Sequence, residues 1–302
     1  MSKAKLAIAL TILSVATIVG AVPVQRTAPR RVQRLRPANV MTPIRLRDER
    51  ERGLLAEGWI NGAGPFVFAI DTGAGVSLIS RDVVERAQLQ TTRSRRPLVG
   101  GLTTSPISSD QETQISGIAL GTRDNRVPGA FTAAVVNTLP GSIDGVLDPT
   151  EVFKPLGYSV DLPNHELQVL DGSYRLRVTD VPRDGAVVRW VREGGSDRPF
   201  VRLSDGRLAL LDTGSRLGLA LSGSREVRGA DTIHDLGGGT IQSRRIEPQT
   251  VTIGALVLNK VPTDLLTGVA PGTPIIIGRG ALFPFKITFD PSSRLIAFEP
   301  TE

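Results

Sequence analysis

The chain has 302 residues, of which 40% are hydrophobic and 22% are charged, a composition that is typical of a globular protein and argues against disorder throughout. It contains no cysteine, which excludes disulfide bonds, a thiolate nucleophile and lipid attachment through a cysteine. The net charge of +6 comes largely from arginines near the N-terminus, and because no aromatic residues are interleaved with them, we predict no nucleic-acid partner.

Residues 1–22 have the pattern of an export signal. Lys3 and Lys5 form a basic start, an apolar run follows, and Val19-Gly20-Ala21 supplies small residues for a cleavage site. The apolar run is long for a signal core and short for a membrane-spanning helix, so a cleaved signal and an uncleaved anchor both remain open. Either one predicts an exported protein, which would be periplasmic or tethered to the membrane through its N-terminus and facing the periplasm.

Residues 23–41 are rich in proline and arginine and have no apolar period, which predicts a linker. A short inhibitory prosegment, whose arginines would pair with two acids of the following domain, Asp71 and Asp212, is the alternative. From residue 42 onward the pattern changes to short apolar runs separated by turn residues, which is typical of β-strands.

Several local elements can be predicted in the first half. Asn61-Gly62 is a strong turn signal and predicts a hairpin between the apolar runs on either side of it. Residues 81–90 predict a short helix, and further strands are expected at 114–120 and 130–136.

Two stretches share one arrangement, in which an apolar run leads directly into Asp-Thr-Gly and a second apolar run follows. The first occupies residues 68–80 with Asp71 at the turn, and the second begins at Leu208 and reaches Asp212. A carboxylate flanked by core strands is costly to bury without partners, so two acids in matching frames are expected to be neighbours. Later segments recur in the same order, which indicates an internal duplication joined near residues 171–185.

The paired Asp-Thr-Gly turns, with the apolar segments that follow them, resemble the aspartic peptidases, and specifically their bacterial pepsin/retropepsin-like relatives. The resemblance covers most of residues 44–302 and is a match of pattern outside the motifs. It implies a mainly β fold of two similar acid-protease β-barrel lobes related by a pseudo-two-fold axis. The lobes would occupy residues 42–175 and 176–302.

The resemblance also implies the residues of the site. The catalytic dyad would be Asp71 and Asp212. The threonine hydroxyls of the two turns would lock one turn to the other, and the glycines would let the backbone approach the carboxylates. These supporting residues would be Thr72, Gly73, Thr213, Gly214 and Ser215. A flap would follow each acid, and the candidate flap glycines are Gly100, Gly101, Gly238 and Gly239.

The implied chemistry requires no metal and no cofactor. Two carboxyls about 3 Å apart cannot both ionise, so the dyad holds one proton. The ionised member takes a proton from water, while the protonated member hydrogen-bonds the scissile carbonyl of an extended peptide or protein substrate. The resemblance therefore predicts an aspartic endopeptidase that is complete in one chain and needs no dimer. A non-catalytic peptide-binding module on the same fold is the alternative.

Three features depart from the family pattern. Asp148 stands where the first lobe should have glycine after two apolar residues, which predicts either a strained backbone or a third acid near the dyad. Ala74 follows the first Asp-Thr-Gly, where pepsin-like enzymes carry Ser or Thr and retroviral-type enzymes carry Ala. No tyrosine lies between Asp71 and Asp148, so the flap tyrosine of pepsin is absent. These features motivate the alternative of a binding module.

Other chemistries find little support in the sequence. His165 and His234 are the only histidines and lack metal-ligand spacing, and no Gly-x-Ser-x-Gly motif is present for a serine hydrolase. The segment that begins at Gly278 lacks the last glycine of a dinucleotide fingerprint, and no βαβ unit surrounds it.

Overall fold

The computed structural model describes residues 41–100, 102, 107–137, 139–223, 231–234 and 239–301. These residues belong to one compact unit, Pro37–Glu302. The prediction of a mainly β protein is confirmed, since strand accounts for 54% and helix for 7% of the described residues. The predicted export signal, nearly all of the predicted linker, Gly101 and Gly238 lie outside the described residues. In the part of the chain that the structure describes, no helix has the length and apolar character needed to cross a membrane.

The first half of the described chain consists of short strands joined by turns. Its strands are β1 (Ile44–Arg45), β2 (Arg47–Glu49), β3 (Gly53–Ile60), β4 (Ala63–Ile70), β5 (Ser77–Ser80), β6 (Thr91–Gly100), β7 (Ile107–Ile115), β8 (Ile118–Leu120), β9 (Phe131–Val136), β10 (Gly145–Leu147), β11 (Tyr158–Asp161) and β12 (Glu166–Val169). Its helices are α1 (Arg81–Arg86), α2 (Pro149–Val152) and one 3-10 turn, Pro140–Ser142.

The second half is built in the same way. Its strands are β13 (Ala186–Arg189), β14 (Val191–Glu193), β15 (Ser196–Arg202), β16 (Leu208–Asp212), β17 (Leu219–Ser222), β18 (Asp231–His234), β19 (Thr240–Ile253), β20 (Leu256–Thr267), β21 (Ile275–Gly278), β22 (Phe285–Asp290) and β23 (Leu295–Pro300). One short helix, α3 (Arg279–Leu282), follows β21. The interval between β12 and β13 is fully described and contains no strand, and this is where the sequence predicts the two halves to join.

A nine-stranded sheet is formed by strands of the first half. Its order is β2-β3-β4-β10-β5-β9-β7-β6, with β8 paired to β3. The β3–β4 hairpin turns at Asn61 and Gly62, whose φ angles of 51° and 80° suit the predicted two-residue turn. Strand β10 pairs in parallel with β4 and places Leu147 opposite Ile70. Strand β4 therefore lies inside this sheet and leads directly into the first Asp-Thr-Gly turn.

An eight-stranded sheet is formed by strands of the second half, in the order β14-β15-β16-β21-β17-β20-β19-β18. Strand β21 pairs in parallel with β16 and places Gly278 opposite Asp212. The neighbour relationship of β16 and β21 is thus the same as that of β4 and β10. In both sheets a parallel partner supports the strand that ends at an Asp-Thr-Gly turn.

A six-stranded sheet combines strands of both halves in the order β1-β12-β11-β22-β23-β13. At its centre β11 pairs antiparallel with β22, and the rings of Tyr158 and Phe289 stack with centroids 4.9 Å apart. Both rings are buried in the main core, which includes residues of all three sheets. Truncating a large buried aromatic residue costs about 3–5 kcal/mol, so this junction contributes strongly to the stability of the unit.

Two local predictions differ from the structure in extent. The predicted helix at 81–90 ends at Arg86, because Gln88 adopts a φ of 52° and the chain leaves the helical path before β6. The predicted strand at 114–120 is interrupted between β7 and β8. There the Gly117 carbonyl accepts a 3.0 Å hydrogen bond from the Asn61 backbone N–H instead of continuing the ladder.

Candidate active site

The two Asp-Thr-Gly turns contact each other through their glycines and aspartates. Asp212 is the last residue of β16, Asp71 directly follows β4, and the two carboxyl groups are close enough for a hydrogen bond between them to shift the pKa of both. A Cβ atom on Gly73 would lie 2.6 Å from Cγ of Asp212, and one on Gly214 would lie 2.4 Å from Cγ of Asp71. Each glycine therefore leaves the space that the carboxyl of the opposite turn occupies.

The threonines of the two turns hold each other's backbone. The Thr72 N–H donates to Oγ1 of Thr213 at 3.1 Å, and the Thr213 N–H donates to Oγ1 of Thr72 at 3.0 Å. The hydroxyls in turn donate to the Leu211 carbonyl at 2.8 Å and to the Ile70 carbonyl at 3.3 Å. Both threonines are fully buried, so these four bonds fix the separation of the two aspartates.

Backbone N–H groups bind one oxygen of each aspartate. The Gly73 N–H donates to Oδ1 of Asp71 at 2.7 Å, and the Ser215 N–H donates to Oδ1 of Asp212 at 2.9 Å. These bonds orient the carboxyls without using side-chain cations. The Ser215 hydroxyl accepts from the Leu217 N–H at 3.3 Å and so supports its own turn.

The surroundings favour a single shared proton on the pair. Burial, followed by the charge of Asp212, raises the pKa of Asp71 well above its ordinary value, and the Gly73 hydrogen bond opposes this only in part. Burial also raises the pKa of Asp212, while the Ser215 N–H and the hydrogen bond to Asp71 lower it. The proton therefore belongs to the pair, whose members have unequal surroundings, since the charge of Asp148 acts on Asp71 and the charge of Arg279 acts on Asp212.

Residues 56–148 match the family model of the aspartyl proteases. The matched segment contains the first Asp-Thr-Gly turn, and the match supports an aspartic protease family for the chain. A comparison with curated proteins gives no match. The second turn lies beyond the matched segment, and its pairing with the first is evident from the contacts of the two turns.

Asp148, the last residue of the aspartyl protease match, is buried beside the first aspartate. It is the N-cap of α2, where its Oδ1 accepts a 2.9 Å hydrogen bond from the Thr150 N–H. Its φ of −78° is open to any residue, so the strained backbone predicted as one alternative is wrong, and Asp148 is the third acid near the dyad. Burial raises the pKa of Asp148 to about 7.

Arg279 is a buried cation beside the second aspartate that sequence reasoning missed. It directly follows Gly278, the residue opposite Asp212, and its backbone N–H donates to the Ser215 carbonyl at 2.8 Å. Its guanidinium pairs with Asp48 of β2, 231 residues away, and its charge lowers the pKa of Asp212. No local pattern indicates an ion pair between residues so distant in sequence. The one sign of a special role for Arg279 in the sequence was its position directly after the apolar strand β21.

Strand alternation places two apolar clusters on the side of the sheets that carries the aspartates. Ile70 and Leu147 belong to the main core, whereas Ala69 and Val146 belong to a separate cluster. Because successive side chains of a strand point to opposite faces, the cluster that contains Ala69 and Val146 lies on the same face as Asp71. A corresponding cluster in the second half shares a face with Asp212 and contains Leu217, Ala220, Ile241, Leu266 and Ile276.

Leu102, between the strands of the β6–β7 hairpin, contacts the second half. Its carbonyl accepts a 2.8 Å hydrogen bond from the Ala270 N–H, and its side chain packs against the cluster that contains Ala220 and Ile276. Of the predicted flap glycines within the described ranges, Gly100 ends β6 and Gly239 directly precedes β19.

No group of three or more His, Cys, Asp or Glu side chains that could hold a metal ion is found among the described residues. Two surface cavities, of about 120 and 290 Å³, are lined by residues outside the Asp-Thr-Gly turns. An extended peptide binds along an open strand edge or groove rather than in a closed cavity. The candidate site therefore rests on the aspartates and their bonding, and not on the cavities.

Proposed function

We propose that the chain is an aspartic endopeptidase that hydrolyses peptide bonds with a water molecule activated between Asp71 and Asp212. The observation that carries the proposal is the reciprocal packing of the two turns, in which each glycine accommodates the carboxyl of the other turn. Two buried, hydrogen-bonded carboxyls with raised pKa values are the arrangement that shares one proton and serves as both acid and base.

The reaction follows from the two protonation states. Asp212, as carboxylate, takes a proton from water while the water oxygen forms a bond to the scissile carbonyl carbon. Asp71, protonated, donates a hydrogen bond and then its proton to the carbonyl oxygen, which stabilises the tetrahedral intermediate. When the C–N bond breaks, the proton on Asp212 passes to the leaving nitrogen and one hydroxyl of the tetrahedral intermediate returns its proton to Asp71, so the dyad again holds one proton. The products are a carboxylic acid and an amine, and the reaction consumes one water.

The two halves act as lobes, residues 42–175 and 176–302, related by a pseudo-two-fold axis and bearing one aspartate each. The support is the shared arrangement of the two sheets, in which β4 with β10 and β16 with β21 are parallel pairs beside each turn. The substrate is an extended peptide, and the apolar clusters on the aspartate faces favour apolar side chains next to the scissile bond. The pattern of residues 1–22 supports export to the periplasm, either released or tethered.

The experiment that tests this function is digestion of a peptide library by the purified full chain at several pH values between about 3 and 8. Asp212→Asn should abolish cleavage, whereas Asp205→Asn, which removes an exposed carboxyl of the same half, should not. A statine-type inhibitor, whose hydroxyl stands in for the attacking water, should block cleavage, and a chelator should have no effect. Folded wild-type chain that binds peptides but cleaves none would favour the non-catalytic binding module instead.

A further inference from the structure

The residue at the end of the parallel neighbour strand, at the level of the aspartate, differs between the two halves. In the second half Gly278 lies opposite Asp212 in the β16–β21 pair. In the first half the β4–β10 pair ends at Leu147, whose carbonyl accepts a 3.0 Å hydrogen bond from the Asp71 N–H. Asp148 is the next residue, so a carboxyl stands beside Asp71 where the second half has only a glycine hydrogen.

The fold holds this carboxyl firmly. Asp148 is 2% exposed, its backbone N–H donates to Oγ of Ser77 at 3.2 Å, and its Oδ1 accepts from the Thr150 N–H at 2.9 Å. The Thr150 hydroxyl is bonded to the Tyr158 hydroxyl at 2.8 Å. Within the described residues no cation forms an ion pair with Asp148. Its charge, when present, is therefore directed at its buried neighbours and is weakly screened by solvent.

We propose that Asp148 is a positioning residue of the dyad: at neutral pH its buried carboxylate, one residue beyond the strand that pairs with β4, keeps the shared proton on Asp71 and leaves Asp212 as the base. The inference rests on the proposed function for its catalytic meaning, and on the geometry for the placement of the proton. Asp148 does not contact the substrate in this role and acts through Asp71 alone.

A charge of opposite sign stands behind the other aspartate. Arg279 takes the position after Gly278, is 5% exposed and pairs with Asp48. A carboxylate behind Asp71 and a guanidinium behind Asp212 act in the same direction, because the first favours the protonated form of its neighbour and the second favours the ionised form. The two halves thus place unlike charges near their aspartates, Asp148 at the position that matches Gly278 and Arg279 one residue later, so the environments of the two turns differ in charge.

The charged and titratable groups around these carboxyls set the pH range of the effect. Asp71 faces Asp212 and Asp148, and Asp212 faces Asp71 and Arg279. Asp148 also faces Glu151 of its own helix and Tyr158 of β11. Because the pKa of Asp148 is about 7, the carboxylate forms only as the pH approaches neutrality. It then repels a negative charge on Asp71 and delays loss of the shared proton to higher pH.

The first test is the pH profile of kcat/KM for a library peptide that the wild-type chain cleaves. Asp148→Asn and Asp148→Ser remove the charge and retain an N-cap acceptor for α2, so the fold should be preserved. Both variants are expected to move the alkaline limb to lower pH by about one unit and to leave the acid limb in place. Asp82→Asn, which removes an exposed negative charge from the first turn of α1, should leave both limbs unchanged.

A second measurement does not depend on turnover. The carboxyl carbon resonance of Asp71, assigned by its loss in Asp71→Asn, can be followed against pH in wild type and in both Asp148 variants. Its midpoint should fall by about one unit when the Asp148 charge is removed. Alkaline limbs and midpoints that match wild type in folded variants would overturn the inference. A midpoint that falls although the wild type cleaves no peptide would support the placement of the proton and overturn the proposed function.

Discussion

Thr72 and Thr213 form a closed pair in which each backbone N–H donates to the hydroxyl of the other residue, at 3.1 and 3.0 Å. The two residues are 141 positions apart in the chain. Since each threonine directly follows one aspartate, the separation of the two carboxyls is set by bonds one residue away from them. The pair couples the integrity of the site to the association of the two halves.

Removing one hydroxyl of this pair should affect both stability and activity. Thr213→Val leaves the Thr72 N–H buried without an acceptor, which costs about 1–3 kcal/mol, and should also misalign the aspartates. Urea denaturation and kcat measured on the same preparations check both effects. Thr213→Ser, which keeps the hydroxyl, is the matched control. Equal stability and equal kcat for the two variants would show that the hydroxyl does not hold the turns together.

A methyl group on the glycines of the turns should be incompatible with the dyad. Gly214→Ala would place Cβ between 2.4 and 2.7 Å from the carboxyl atoms of Asp71, so that the carboxyl must move. We expect a loss of at least about 100-fold in kcat, because displacements of about 1 Å at reacting groups have effects of this size. Gly172→Ala, where the nearest atom would be 3.5 Å away, is the control and should retain wild-type turnover. Retained activity in Gly214→Ala would contradict the close approach.

The burial of Asp148 predicts a specific pH dependence of stability. Its pKa in the folded chain is about 7, above the ordinary value of 3.8. Between these values the folded state binds a proton that the unfolded state has lost, so the free energy of unfolding should fall as the pH rises from about 4 to about 7. Each pKa unit corresponds to about 1.4 kcal/mol, so the total is a few kcal/mol.

Thermal unfolding of wild type and Asp148→Asn at a series of pH values checks this contribution. Asn keeps the N-cap and has no charge to bury, so the variant should be more stable than wild type at about pH 8 and similar to it at about pH 4. Parallel curves for the two proteins would indicate that Asp148 binds its proton equally in both states.

The cation behind Asp212 should set the acid limb of activity. Because the charge of Arg279 lowers the pKa of Asp212, Arg279→Gln should raise it, and the limb where Asp212 takes up a proton should move to higher pH by up to about one unit. Arg279→Lys keeps the charge and should stay near the wild-type limb. The pH profiles of kcat/KM for the wild-type chain and the two variants measure the position of this acid limb. If the acid limb moved by the same amount in both variants, the effect would come from packing and not from charge.

The sequence was sufficient to predict the elements that depend on local pattern. Asp71 and Asp212 each follow a buried apolar strand and precede glycine, and this pattern alone indicated two turns that belong together. The hairpin at Asn61 and Gly62 was likewise readable because its positive φ angles require these residue types.

What the sequence could not supply depends on contacts between distant segments. The pair of Asp48 and Arg279 joins residues whose local surroundings are ordinary, and its formation depends on how the halves pack. Leu102 resembles any apolar residue of a glycine-rich loop, and only the fold brings it to Ala270. The sequence indicated that Asp148 stands where the family has glycine. It could not show that the Asp148 backbone is unstrained or that its side chain caps α2, because both depend on where that short helix begins.

The six-stranded sheet joins the two halves of the chain. Its two central strands, β11 and β22, come from opposite halves and are joined by the stacked rings of Tyr158 and Phe289. A single cut between β12 and β13 would sever the chain without separating any paired strands, so the nicked molecule should persist as one particle. Two fragments produced separately would each carry one aspartate and an incomplete sheet, and peptide cleavage would report on their reunion. Fragments of the two halves are therefore expected to associate through the strands that they share in this sheet.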